Sequence, residues 1–368
     1  MIPPRLSDVQ RRDWLRLIRA EHVGPRTFRA LVNQFGGAAA ALEALPSLAR
    51  RGGRLTPPFI PSLGEVEDEI AALARKGGRL VVTSDQDYPA PLRMLDDAPP
   101  VLSVRGQEQA LAAPMVAIVG ARNASAAGRT IAARLAHDLA QGGLTIVSGL
   151  ARGVDTAAHA ASLDFGTVGV FAGGLDRPYP SENRRLMEDM LAKGALVSEM
   201  PLAWEPRARD FPRRNRLVSG MALGVVVVEA AERSGSLITA RLAAEQGREV
   251  FAVPGSPLDA RSNGSNRLLK SGATLVTSAE DIFEVLSSQI DRRGPTQVEA
   301  PVLPAPDSHA LPDDVRSRIL DLLSPVPTAI DDLVRLSGAH ASQTQIVLLE
   351  LELAGRLERQ SGGLVALR

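Results

Sequence analysis

Residues 207–220 read RARDFPRRNRLVSG, so five arginines (Arg207, Arg209, Arg213, Arg214 and Arg216) sit close together with a single acid, Asp210. A guanidinium is a planar fork of donors that engages two oxygens of a phosphate at once. A run of phosphates needs such forks, together with backbone amides for close contact. Turns able to supply those amides recur along the chain. VAIVGARNASAAGRT holds Gly120 and Arg122, and IVSGLARGVDTAAHAA holds Ser148, Gly149 and Arg152. FAGGLDRPYPSENRRL runs into Tyr179, Asn183, Arg184 and Arg185, and EAAERSGSLITA carries Ser234, Gly235 and Ser236. Lys76, Lys193 and Lys270 are the only lysines, so arginine is the default cation, and density and placement must carry the argument.

Other chemistries find little footing. Ser125 is placed to cap a helix, and Gly128 lets backbone approach closely. Free amides there, beside Arg122, would form an anion site. The turn after Gly120 continues Ala-Arg, not as GxGxxG, and LTIVSG ends without the ribose-binding acid of a dinucleotide fold. No glycine–lysine pair forms a GxxxxGK[ST] loop, and no GxSxG elbow occurs. The chain has no cysteine, which removes disulfides, thiolate metal sites and cysteine nucleophiles. Its histidines, His22, His137, His159, His309 and His340, fall in no metal-ligand spacing. His159 reads as a packed residue and Asp155 as a helix cap. Glu199 and Glu229 follow strands, where each can serve as acid or base or orient a guanidinium. No cofactor, metal or enzymatic role is expected.

The elements that position these residues follow from the apolar pattern. MVAIVG, LTIVSG, TVGVFAGG, ALVSEM, GVVVVEA, EVFAVPG and ATLVT are short continuous apolar runs separated mostly by helical stretches. That alternation predicts an α/β fold with a parallel sheet covered on both faces. Such sheets bind ligands beyond the carboxyl ends of their strands. Residues 1–75 read as a small helical domain, basic over its first sixty residues, and residues 78–286 as the sheet domain. Residues 287–311, rich in Pro and Ser, read as a linker, and residues 312–368 as three helices and a hairpin, a winged-helix pattern. The helix SQTQIVLLELELAGRL carries Glu350 and Glu352, which suits contact with protein more than a DNA groove. The formal net charge is zero, so attraction for a polyanion must come from local clustering. The start, MIPPRLSDVQRRDW, lacks the apolar core of a secretory signal, and the apolar runs are too short to span a bilayer. A soluble cytoplasmic protein without membrane contact is expected.

VAIVGAR, SGLARGVDTAAH, GGLDRPYPSEN, SEMP, FPRRNRLVSGM, VVVVEAAERSGSLITARLAAEQGREVFAVPG and GSNRLLKSGA occur in this order over roughly residues 80–285. The series resembles the DNA-processing protein A family (DprA, also called Smf). The resemblance implies an extended Rossmann-like core, an N-terminal sterile-alpha-motif-like domain and a C-terminal winged helix. It also implies a homodimer that binds single-stranded DNA during natural transformation and hands it to the RecA recombinase, without nucleotide hydrolysis. Carried over by residue, the DNA contact of the glycine turn falls on Arg122. The family's Phe-Pro-x-Arg-Asn-Arg motif falls on Phe211, Pro212, Arg214, Asn215 and Arg216, with Arg213 as the variable member. Where other members carry lysine in the YPxxN segment, the nearest counterparts are Ser181 and Arg184. Phe211 either stacks a base or packs into the core. The arginines are then expected to stay unpaired, awaiting phosphates. The rival expectation is an enzyme, a Rossmann-like nucleoside-monophosphate phosphoribohydrolase of the "lonely guy" kind, although its PGGxGTxxE pattern is missing.

Overall fold

The computed structural model describes residues 6–290, 312–360 and 362–368 of the chain, with only the backbone of Asp313. Packing divides these residues into two units. One holds residues 68–290. The other joins residues 6–67 to residues 312–368.

The larger unit is built on β1 (Gly78–Val82), β2 (Val101–Gly106), β3 (Met115–Gly120), β4 (Thr145–Ser148), β5 (Thr167–Val170), β6 (Ala195–Ser198), β7 (Gly224–Val228), β8 (Glu249–Ala252) and β9 (Thr274–Leu275). They form one sheet in the order β1-β2-β6-β5-β4-β3-β7-β8-β9. From β6 to β9 every pairing is parallel, as the apolar runs predict. The sequence pattern did not single out β1 and β2, which extend the sheet antiparallel beyond β6. Val225 and Val227 face one layer, packing with Leu217, Val218 and Met221 of the helix Asp210–Met221. Val226 and Val228 face the other, with Leu135 and Leu139 of the helix Ala126–Gln141. Burial on both faces explains why these strands are apolar throughout instead of alternating.

From β3 the chain steps outward through β4, β5 and β6, then returns to lay β7 against the other side of β3. The order of strands therefore reverses between β3 and β7. Crevices in such sheets open at that reversal, beyond the carboxyl ends. Because the strands run in one direction, the turns after Gly120, Ser148, Val170, Ser198 and Val228 all meet one rim.

In the second unit, the helices Asp8–Arg19, Pro25–Phe35 and Ala38–Arg51 share a core. Residues 312–368 add the helices Asp313–Leu322, Ile330–Ser337 and Ala341–Leu353 with β10 (Thr328–Ala329), β11 (Leu357–Gln360) and β12 (Leu364–Leu367), a winged helix whose wing is a three-stranded sheet. Leu349 and Leu353 of its third helix enter the core formed by Leu17, Leu31, Leu45 and Leu48. Beside them Glu350, 2% exposed, accepts from Arg51 Nε at 2.6 Å and from Arg316, which also donates to the Arg51 carbonyl. The acidic third helix does contact protein, and that protein is the chain's own N-terminal helices. The helix Ala279–Ile290 takes up residues 287–290 of the expected linker, and residues 291–311 lie outside the described residues. No described helix is long and apolar enough to cross a membrane.

A buried carboxylate deprived of one of its cations costs more than an apolar residue in its place, which removes the buried charge and leaves Arg51 and Arg316 partly exposed to solvent. Arg316→Ala is therefore expected to destabilise this unit by about 3 kcal/mol, and Glu350→Leu by less, in urea unfolding of the full chain. Equal losses would show that the pairing adds nothing to packing.

Candidate functional site

At the first turn of the rim, Ser125 caps the helix Ala126–Gln141, its Oγ accepting from the Gly128 amide at 2.9 Å. The anion site expected at this helix start is already filled. Glu229, at the end of β7, takes the Ser125 amide on Oε2 at 2.8 Å and the Ser125 hydroxyl on Oε1. Between Gly120 and that cap, Arg122 stands exposed with its guanidinium carbon 5.6 Å from the centre of the Phe211 ring. Gly153 lies beneath this turn at φ +81°, and a Cβ there would meet the Ala121 carbonyl at 2.3 Å. Only glycine accepts both the dihedral and the contact.

The second turn is braced from within. Ser148, fully buried, donates its hydroxyl to the Ile118 carbonyl at 2.6 Å and stitches β4 to β3. Asp155 accepts from the Gly149 amide at 3.1 Å and the Ala151 amide at 3.2 Å, so it holds this loop instead of capping its own helix. Asn183, also buried, donates to the Leu150 carbonyl at 2.8 Å. His159 is fully buried with Nδ1 2.8 Å from Thr167 Oγ1; that hydroxyl gives its proton to the Ile146 carbonyl, so Nδ1 is the donor.

The arginine cluster corrects the expectation of unpaired charge. On the helix Asp210–Met221, Arg214 turns inward, 6% exposed, and donates to the Gly149 carbonyl and, at 2.7 Å, to the Val170 carbonyl. Its Nε reaches Asn215 Oδ1 at 3.2 Å, and Asn215 Nδ2 lies 3.4 Å from the Gly235 carbonyl. Arg216 pairs with Glu199 and donates to the Asp97 carbonyl at 2.6 Å; Arg213 Nε pairs with the other oxygen of Glu199 at 2.9 Å. Glu199 thus orients guanidinium groups, whereas Glu229 orients a turn. The reason is geometric: strands end in carbonyls that have lost their sheet partners, and an arginine one helix away satisfies several at once. Burial pushes the Arg214 pKa down to about 10, with Asp155 pulling it up and Arg122 pushing it down. Burial likewise raises Asp155, against the lowering pull of Arg214.

What remains open is a cleft over β4 and β5, lined by Arg122, Arg152, Arg177, Tyr179, Phe211 and the edge of Arg214, with Gly149 and Gly173 supplying backbone. Tyr179 and Phe211 meet edge to face, their centroids 5.5 Å apart. None of the residues lining it is acidic, and none is His, Ser or Thr. Arg177 pairs with Glu205 at 3.1 Å and Arg152 lies 3.9 Å from Glu182, contacts between exposed groups that are easily exchanged. Of the expected residues, the cleft gathers Arg122, Gly149, Phe211 and Arg214. Gly120 and Ser148 shape its strands, and Asn183, Arg213, Asn215 and Arg216 hold the frame. Pro212 and Arg184 are exposed without lining it, and Ser236 is buried beside Gly235 at the start of another helix. Arg177 was missed as a site residue; its signal lay in the LDRPYP stretch directly after a glycine-ended strand, which also holds Tyr179. Among the described residues no acid–histidine group is placed to hold a metal ion.

Comparison with known proteins gives this arrangement a lineage. Residues 79–287 match the family model described as DNA recombination-mediator protein A. This chain belongs to the DprA/Smf family. Residues 8–72 match a DprA-like N-terminal HHH domain, where the sequence had suggested a sterile-alpha-motif likeness, and residues 303–363 match the DprA winged helix domain. Protein Smf of Escherichia coli is 39% identical over 307 residues, 82% of this chain and 81% of its own length. DNA processing protein DprA of Bacillus subtilis is 43% identical over 231 residues, 62% of this chain and 77% of its own. The structure of DprA from Streptococcus pneumoniae aligns with a TM-score of 0.63 at 33% identity, covering 76% of this chain and 98% of that one. DNA processing protein A from Helicobacter pylori, described with a single-stranded DNA binding mode, aligns at 0.53 and 29% identity over 58% of this chain and 96% of its own.

Two stability measurements separate frame from surface. Arg214→Ala strands two rim carbonyls and is expected to cost about 3 kcal/mol in urea unfolding, while Arg122→Ala stays within about 0.5 kcal/mol. Burial holds His159 neutral, with a pKa lowered to about 3 against an ordinary 6.5. Between those values the unfolded chain binds the extra proton, so stability falls as pH drops from 6.5 toward 3. In His159→Asn the loss over that window should be smaller by up to about 1.4 kcal/mol per pH unit.

Proposed function

We propose that this chain binds single-stranded DNA in the cleft over β4 and β5. The observation that carries the reading is the lining itself: guanidinium groups and peptide edges around the rings of Tyr179 and Phe211 and the buried Phe171, with no acid among them. Guanidinium groups take phosphates, and each phosphate neutralised on a single strand releases condensed cations. Rings set among those cations stack only on bases whose faces are free, which a duplex does not offer. Phe211, half-buried and open to the cleft, is suited to stacking, with Tyr179 as its neighbour. Arg152, Arg177, Arg207 and Arg209 are exposed close by in sequence or space and would extend the path of a strand.

Family membership supports the wider role: a homodimer that delivers the bound strand to the RecA recombinase during natural transformation. The Helicobacter pylori relative, described by its single-stranded DNA binding mode, supports the ligand class. The phosphoribohydrolase alternative needs a carboxylate at the sugar. The cleft lining supplies none, and Glu229 spends both oxygens on Ser125.

The test is fluorescence anisotropy of the full chain with labelled oligo-dT, a duplex of equal length, and AMP as competitor. Oligo-dT is expected to bind best, with log affinity falling against log salt by about 0.7 per phosphate contact. Arg122→Ala should weaken binding roughly five- to tenfold and flatten the slope by about 0.7. Equal affinity for the duplex, an unchanged slope in the variant, or steady release of adenine from AMP would each overturn the reading. Mixing with RecA on oligo-dT coated by a single-strand-binding protein tests delivery: filament formation should start earlier with the chain present, and no acceleration would refute that part.

A further inference from the structure

Arg122 sits on a turn that needs a reason to stay in one conformation, since five residues separate β3 from the helix Ala126–Gln141. The reason comes from across the strand reversal. Glu229 adopts a left-handed backbone, φ +50°, at the end of β7, a conformation that costs a side-chain-bearing residue about 1 kcal/mol or more. That bend lets its carboxylate run flush along the helix start, where a Cβ on Gly128 would lie 2.5 Å from its carboxyl carbon. A relay results: the Gly128 amide donates to Ser125 Oγ, whose proton goes to Glu229, which also takes the Ser125 amide. Gly153 presses on the turn from the opposite side, with Val154 donating to the Ala121 carbonyl at 3.2 Å. An acid placed beside a surface for polyanions repels them unless it does something else there. Here it uses both oxygens on the turn that bears Arg122.

We infer that Glu229 is a positioning residue for strand binding, fixing residues 121–125 so that Arg122 meets a phosphate without reorganising. The inference rests on the single-strand reading above and adds to it a residue that does not touch the ligand. It also has a sign of its own. A bystander carboxylate only repels the strand, so its removal tightens binding. A positioning carboxylate gives the opposite, because a loosened turn must be ordered when the strand arrives.

The experiment measures oligo-dT affinity for the full chain and for Glu229→Ala, Glu229→Gln, Arg122→Ala and the double variant Arg122→Ala, Glu229→Ala, each checked for an unchanged far-UV spectrum. Glu229→Ala is expected to weaken binding roughly fivefold, and Glu229→Gln, which still accepts the Ser125 amide, less than twofold. The double variant should bind within twofold of Arg122→Ala alone, because one residue acts through the other. Tighter binding by Glu229→Ala, or losses that multiply in the double variant, would overturn the inference. If Glu229→Ala does not fold, Ser125→Ala carries the same expectation at about half the size on a logarithmic scale. If the parent chain holds no oligo-dT, the single-strand reading falls by itself. Hydrogen exchange of the 121–125 amides then decides the positioning role separately: faster exchange in Glu229→Ala than in the parent supports it, and equal exchange sinks it.

Discussion

A parallel sheet ends in a row of carbonyl oxygens pointing beyond the last paired residue, and those oxygens must be satisfied if anything is to pack over them. Arg214 does this for the ends of β4 and β5. Its guanidinium lies between the Gly149 and Val170 carbonyls, with the Asp155 carboxyl near enough to offset part of its charge. The floor of the cleft, the seating of the helix Asp210–Met221 and the shape of the loop that Asp155 braces all meet at this one side chain. The charge facing the cleft is therefore of two kinds: one arginine fixed in the frame with only an edge showing, and others standing on the surface where solvent or ligand can reach them.

That division explains which parts of the site were legible. Density of arginine marks the right segment, since nothing but polar recognition or carbonyl satisfaction brings so many guanidinium groups to a strand end. It does not say which arginine goes inward. The helical period puts Arg214 and Met221 on the sheet side, but the acceptors of Arg214 are main-chain oxygens of distant residues, and backbone groups leave no trace in side-chain composition. Glu199 could be read as an orienter of arginine because it follows a strand and lies near the cluster in sequence. Glu229 was assigned the same alternatives and does something different, because its target, Ser125, lies 104 residues away across the strand reversal.

The fold was more legible than the site. Continuous runs such as GVVVV can only be central strands when helices flank them, and the parallel order follows from the connections. β1 and β2 escaped because GRLVV and VLSVRG are separated only by the short helix Ala90–Arg93, not by the full helix that marks the parallel strands, and because Arg79, Ser103 and Arg105 interrupt their apolar runs. At the chain ends, the helices themselves were visible. Their union was not, because an apolar stripe looks the same whether it packs on its neighbours in sequence or on a segment hundreds of residues away.

The shared core of Leu17, Leu45, Leu349 and Leu353 has a consequence during synthesis. The N-terminal helices leave the ribosome long before the segment that completes their packing has been translated. With about 300 residues intervening, at roughly 5–20 residues per second, they wait about 15–60 s with that apolar face uncovered. A newborn chain of this family member thus carries a sticky, half-finished end while its sheet is being assembled, and chaperones that recognise exposed leucine have their longest opportunity there.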